Sequence, residues 1–240
     1  MQTQKAQTVR DLAAGNPAAA RIFERYGIDY CCGGAKSLSE ACLAAKVNID
    51  EVKAALAARL PESGDRDWHT ALVSELITHI VTKHHAFTRE EINRLIPLIA
   101  KVQAAHGQNH PELKQVENLL HEMANELTMH MMKEERMLFP YIQQLEAAIN
   151  RGSHPTPPMF GTVQNPVRMM MMEHDFAGEV LHRLREITGG YAAPEDACVS
   201  YQTLYTALQE FEGDLHQHIH LENNILFPRA IEMESGALQR

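Results

Sequence analysis

The sequence predicts an all-α protein, a four-helix bundle preceded by a small helical domain, and three observations predict it. No segment alternates polar and apolar residues as a half-buried strand does, whereas long stretches beyond Trp68 carry apolar residues at helical spacing. One motif occurs twice, as His130 to Pro140 (HMMKEERMLFP) and as His218 to Pro228 (HIHLENNILFP), with His, Glu, Phe and Pro at matching positions. A histidine also lies 45 residues before the first copy (His85) and another 44 before the second (His174), each followed five residues on by a glutamate, Glu90 and Glu179. The chain therefore reads as two helical hairpins, each with a lone histidine and one HxxxE pair.

The small domain is expected over residues 1–64 and the bundle over 65–240, with a linker in ESGDRD, Glu62 to Asp67. Thr8 with Asp11 reads as an N-cap and acidic first turn, and Asn16-Pro17 as a cap followed by proline at the first helical position. Gly27 stops the helix that carries Ile22, Phe23 and Tyr26. After the loop Tyr30-Cys31-Cys32-Gly33-Gly34, Ser37 and Glu40 form a capping-box pattern, and Asp50 starts a helix ended by Pro61. So short a unit has little core of its own and is expected to dock on the larger domain.

Four long helices should follow. The first is expected from about Thr70 to Ala105, with Leu72, Leu76, Ile80, Ile92, Leu95 and Ile99 as its apolar stripe and a kink at Pro97. The second should run from Asn109 to about Asn150, interrupted by Pro140, and Pro228 should interrupt the fourth at the equivalent place. Residues 151–165 are rich in Pro and Gly and form a long crossing. Asn165-Pro166 opens the third helix, Gly189-Gly190 closes it, and the fourth runs from Pro194 to about Glu234.

Composition narrows the function. A formal charge of -9, from 22 basic against 31 acidic residues, excludes a nucleic-acid partner, which needs a basic face. The N-terminus has no apolar signal region and no apolar run is long enough to span a bilayer, so a cytoplasmic protein without membrane attachment is expected. Four cysteines, two of them adjacent, do not form a secreted disulfide framework.

At about 3.6 residues per turn, positions i and i+4 stack on one helix face, so His130 with Glu134 and His218 with Glu222 each present an imidazole beside a carboxylate. One such pair is an ordinary surface contact, but two in a repeat, inside otherwise apolar helices, point to metal ligation, because unpaired glutamate is seldom buried. His85 and His174 complete a set of four imidazoles and two carboxylates. His84 competes with His85, since only the repeat spacing separates them, and His216 and His220 lack the glutamate four residues on that follows His218. Mixed imidazole and carboxylate donors suit two non-haem iron or manganese ions better than a closed structural zinc site. The remaining histidines read as structural or exposed, and Met169 to Met172, with Met129, Met131 and Met132, as polarizable packing around the metals.

Adjacent cysteines close a disulfide only in a strained ring, so Cys31 and Cys32 read either as a dithiol that binds metal or exchanges electrons, or as two packed cysteines in a turn. Gly33 and Gly34 leave the backbone open around the thiols. Cys42 and Cys198 lie in helical runs and are expected to be inert.

Taken together, YCCGG, HMMKEE, EHD and HxxLENNxLFPRA make the chain resemble, over nearly its whole length, the repair-of-iron-centres (RIC) family of the hemerythrin-like superfamily. The resemblance implies a di-iron centre, two oxo-bridged non-haem iron ions, on His85, His130, Glu134, His174, His218 and Glu222. It further implies that Glu126 and Glu173 line a solvent or iron path, and that Cys31 and Cys32 act in the chemistry. The implied function is repair of iron-sulfur clusters damaged by nitrosative and oxidative stress, with iron-sulfur client proteins as partners. Binding of nitric oxide, or its reduction to nitrous oxide, is the alternative, and an oxygen carrier ranks third because hemerythrins have more histidine ligands. The sequence is compatible with a monomer or a homodimer, and leaves open whether repair is catalytic.

Overall fold

Helices begin where the chain supplies partners for their free amides, and three of the first four show such partners nearby. In this computed structural model, which describes residues 8–15, 17–30, 34–57 and 67–238, Thr8 and Asp11 each accept the other's backbone N–H, at 3.0 and 3.1 Å, and open α1 (Val9–Gly15). Helix α2 (Pro17–Arg25) starts on its proline and is followed by Gly27 at φ +64°. The Ser37 and Glu40 capping box is present, with the Ser37 N–H donating to Glu40 at 2.8 Å, and it opens α3 (Leu38–Ala44). The Asn48 side chain accepts from the Asp50 N–H at 2.8 Å and starts α4 (Ile49–Ala57) one residue before Asp50. The expected Asn16 cap, the Cys31-Cys32-Gly33 turn, the stop at Pro61 and the boundary at Gly64 lie outside the described residues.

The chain forms two compact units, Met1–Leu72 with His216–Arg229, and Val73–Leu215 with Ala230–Arg240. The first has its own core, in which Val9, Ile22, Phe23, Ile28, Tyr30, Cys42 and Val52 are buried. Each large apolar side chain so buried stabilises by roughly 1.5–3 kcal/mol. Gly34 is explained by packing: a β-carbon there would lie 2.4 Å from the Tyr30 carbonyl oxygen and 2.9 Å from the Arg10 Cβ. Within the same unit, Tyr30 meets the His220 ring edge-on, and the Arg229 guanidinium donates to the carbonyls of Trp68 and Ala71 at 2.7 and 2.6 Å.

The second unit is the bundle. Its first helix starts at Val73 and not at Thr70, because the Asp67 side chain captures the His69 N–H and the Thr70 hydroxyl in a turn. Glu146 then caps α5 (Val73–His79) from a distant helix, accepting from the N–H groups of Val73 and Ser74 at 2.8 and 3.2 Å. Leu72, outside the helix, is half-exposed, whereas Leu76, Ile80, Leu95 and Ile99 are buried as the stripe predicts. The helical course continues through a π-helical turn, π1 (Ile80–His85), into α6 (Ala86–His106), which carries Pro97 in its interior.

The second helix is likewise composite: α7 (Leu113–Lys133), π2 (Glu134–Leu138) and α8 (Phe139–Asn150). A crossing with Gly152 and Gly161 at positive φ leads to α9 (Gln164–Ile187), closed by Gly189 and Gly190, also at positive φ. The last helix runs as α10 (Val199–Leu221), π3 (Glu222–Leu226) and α11 (Phe227–Leu238). In the second unit α7 packs on α6 and α9, α5 packs on α8, and Arg185 of α9 pairs with Glu212 of α10 at 2.9 Å. No strand occurs among the described residues beyond one isolated bridge between Thr8 and Ser37, and no helix there is long and apolar enough to cross a membrane.

The crossing is pinned by one buried carboxylate. Glu234 accepts from the Tyr141 hydroxyl at 2.6 Å, the Thr162 hydroxyl at 2.5 Å and the Val163 N–H at 3.0 Å. Glu234→Ala leaves those three donors to find other partners and should cost roughly 3 kcal/mol, whereas Tyr141→Phe, which removes one donor, should cost about 1 kcal/mol. Urea unfolding of the two variants checks the order.

Candidate metal centre

The site grows from a helix irregularity that the repeat carries in both copies. In π2 and π3 the backbone hydrogen bond spans five residues, from the Phe139 N–H to the Glu134 carbonyl and from the Phe227 N–H to the Glu222 carbonyl. The slip precedes Pro140 and Pro228, where the ring removes a backbone donor and crowds the carbonyl four residues back. A widened turn relieves that crowding. The prolines therefore do not break the helices as expected; they follow a π turn that opens on the repeated glutamate. A third π turn, π1, ends on His85.

In the bundle unit, His85, His130, Glu134 and His174 are all buried, Glu134 completely. His85 Nδ1 lies 2.7 Å from Glu135 Oε1, and its Nε2 faces Glu134 Oε2 at 3.4 Å. His130 Nδ1 lies 2.9 Å from Glu173 Oε2, and its Nε2 faces the same Glu134 oxygen at 3.3 Å and the His174 Nε2 at 3.0 Å. In the first unit, the second pair has the same stacked form, with His218 Nε2 2.9 Å from Glu222 Oε1 and both side chains buried.

The donor chemistry fits a cation. Each Nδ1 of His85 and His130 faces a carboxylate, and an imidazole that carries its proton on that nitrogen has a lone pair on Nε2. Those two lone pairs and an anionic oxygen of Glu134 converge, and a buried metal ion satisfies all three at once. The donor atoms of His130, Glu134 and His174 lie within 4.8 Å of one another.

A second layer surrounds this core. Burial pushes the Glu135 carboxyl up, but Arg89 and His85 outweigh it and hold it below the usual carboxylate range. Glu173 behaves alike: burial is outweighed by His130 and Lys133, the latter in a short contact with the other Glu173 oxygen. Glu126 is exposed and lines a small pocket with His130, Glu173, Leu127 and Phe176.

The neighbour that competed with His85 faces elsewhere: His84 Nδ1 lies 2.9 Å from Asp214. Glu90 and Glu179 are exposed. The methionine run does not pack as a unit, because successive helical residues point about 100° apart; Met170 and Met131 are buried, but Met129, Met169 and Met172 are half-exposed or more. Cys42 is buried and its thiol is pushed up by burial, in keeping with inertness. Cys198 does not lie within a helix. It is exposed just before α10, and the Tyr201 backbone and the His106 side chain hold its thiol below the ordinary value. Cys31 and Cys32 lie outside the described residues. Sequence reasoning missed Glu135 and Arg89, although the Glu134-Glu135 doublet is visible in the repeat.

Comparison with known proteins places this arrangement. Residues 76–230 match the hemerythrin HHE cation binding domain, and residues 5–59 match a domain of unknown function, DUF542. A protein of Enterobacter sp. named iron-sulfur cluster repair protein YtfE is 36% identical over 228 residues, covering 95% of this chain and 98% of that protein. Its namesake in Pectobacterium atrosepticum is 38% identical over 229 residues, with the same coverage. A probable iron-sulfur cluster repair protein of Haemophilus influenzae is 38% identical over 228 residues, covering 94% of this chain and 96% of that protein.

Glu134→Ala should lower metal affinity on the order of 100-fold or more while helical content is kept. Glu126→Ala should leave metal content unchanged. Metal per chain after dialysis, with circular dichroism, checks both.

Proposed function

This chain belongs to the hemerythrin HHE cation-binding family, and from that premise we propose that it is a two-iron protein that restores iron-sulfur clusters damaged by nitrosative and oxidative stress. The observation that carries the reading is the convergence of His85 Nε2 and His130 Nε2 on the buried Glu134 carboxylate, in a chain alike over 95% of its length to proteins named for cluster repair. In this reading two ions are held by the six donors His85, His130, Glu134, His174, His218 and Glu222. Glu134 and Glu222 would each be shared by the two ions, with an oxo bridge expected between them.

When bound, iron supplies one-electron chemistry and an ion that can be given up to a client cluster. The protein's own residues do the rest. Apolar helices exclude water from the donors, and Glu126 and Glu173 border the pocket beside His130 through which small ligands or iron pass. Cys31 and Cys32 supply the dithiol that exchanges electrons or contacts the client protein.

A second reading is nitric oxide binding or reduction, and the same pocket favours it: it is small, largely apolar and open to His130. Nitrous oxide released on adding nitric oxide to the ferrous protein would support it, and its absence together with the lack of any nitrosyl spectrum would eliminate it.

The ferrous protein should restore activity to a purified enzyme whose iron-sulfur cluster has been damaged with nitric oxide, and Cys31→Ser with Cys32→Ser should abolish repair while two irons per chain remain. Full repair by the double variant would remove the thiols from the mechanism. Fewer than two metals on the wild-type protein would overturn the two-iron assignment.

A further inference from the structure

Two histidines of the centre are each held from behind by a carboxylate, and each carboxylate is held in turn by a cation. The Glu135 Oε1 lies 2.7 Å from His85 Nδ1 and 2.6 Å from an Arg89 guanidinium nitrogen. The Glu173 carboxylate faces His130 Nδ1 at 2.9 Å with one oxygen and takes the Lys133 ammonium on the other.

The two assemblies follow one plan. The cation stands about one turn beyond the histidine on the same helical course, Arg89 four residues after His85 and Lys133 three after His130, so it reaches the same side. The carboxylate comes from another segment, where it is the chain neighbour of a residue at the centre: Glu135 follows Glu134, and Glu173 precedes His174. Adjacent helical residues diverge by about 100°, so one of each pair faces the centre while the other reaches across to the back of an imidazole. Each assembly thereby ties two helical segments together at the level of the donor atoms.

We infer that Glu135 with Arg89, and Glu173 with Lys133, are positioning residues that fix His85 and His130 with the proton on Nδ1 and Nε2 facing the centre before any metal arrives, each governing a different metal position. The inference rests on the two-metal reading for the assignment of positions, and on the geometry of the second unit alone for the tautomers. A carboxylate behind an imidazole fixes both the ring angle and the tautomer, and losing such a partner commonly lowers metal affinity by about 10–100-fold. The cation's part is to hold the carboxylate against solvent. The second hairpin does not repeat the plan: Asn223 stands where Glu135 would, Gly178 where Arg89 would and Leu221 where Lys133 would.

The test uses the full-length chain in two arms. In metal-free protein, nitrogen-15 imidazole spectra should show His85 and His130 as single Nδ1–H tautomers; Glu135→Ala should release His85 alone and Glu173→Ala His130 alone, while Glu135→Gln, which keeps an acceptor oxygen, should largely restore His85. In cobalt(II) titrations against a competing chelator, the wild type should bind two ions. Glu135→Ala should weaken one position by about 10–100-fold and leave the other within about threefold, and Arg89→Met should weaken that same position by a smaller factor. Unchanged tautomers in Glu135→Ala, or equal weakening of both positions by either glutamate variant, would overturn the inference. Binding of one cobalt ion or none by the wild type would instead sink the two-metal reading, with the tautomer arm still deciding whether these residues position the imidazoles.

Discussion

A carboxylate buried at the middle of a helix is the constraint from which the rest of this structure follows. Glu134 and Glu222 have no exposed surface, and an ionised carboxylate taken out of water loses several kcal/mol of solvation unless charge and hydrogen-bonding partners restore it. Each has a histidine one turn earlier on its own helix, within 3.3 and 2.9 Å. Around Glu134 the His85 imidazole adds a second donor from another helix. Two imidazoles facing one buried carboxylate make a mixed donor set that suits a cation, and the matched family is one of cation binding.

The π turns show how the backbone meets that demand. In an uninterrupted α-helix from His130, positions 134, 137, 138 and 141 would share the buried side. Here Leu138 and Tyr141 are buried, but Met137 is 55% exposed and Phe139 and Ile142 join the buried side, which is the mark of a turn widened by one residue after Glu134. The slip lays Phe139 flat against the His85 ring, centroids 5.7 Å apart at 19°. The imidazole that faces Glu134 thus has an aromatic wall on one face and Glu135 at its back. Proline follows the slip in both copies and disfavours a return to regular α-helix at that point.

What could be read from the sequence was what depends on local spacing. Capping at Thr8 and Ser37, the glycines that close helices, and the stacked HxxxE pairs all involve residues within a few positions of one another. The π turns were not legible, because the i, i+4 relation of His130 to Glu134 precedes the slip and looks the same in either helix type. Glu135 was not legible either. Beside Glu134 in a charged run, its partners His85 and Arg89 are some 50 and 46 residues away in the chain. The four methionines before Glu173 misled for the opposite reason: their adjacency in sequence guarantees that they point to different sides of α9. Cys198 misled through its apparent place in a helical run, when it stands just outside the first turn of α10.

The two copies of the motif have kept their donors and diverged in what stands behind them. Position by position, the histidines and glutamates of His130 to Pro140 recur in His218 to Pro228, yet Glu135, Arg89 and Lys133 have no charged counterpart. On the proposed ligand assignment each ion takes one histidine from the first hairpin, backed by a carboxylate and a cation, and one from the second, where positions 178, 221 and 223 carry Gly, Leu and Asn. The second hairpin divides its donors by unit: His174 stands in the bundle unit with His85, His130 and Glu134, whereas His218 and Glu222 lie on His216–Arg229, which belongs to the compact unit of the small N-terminal helices.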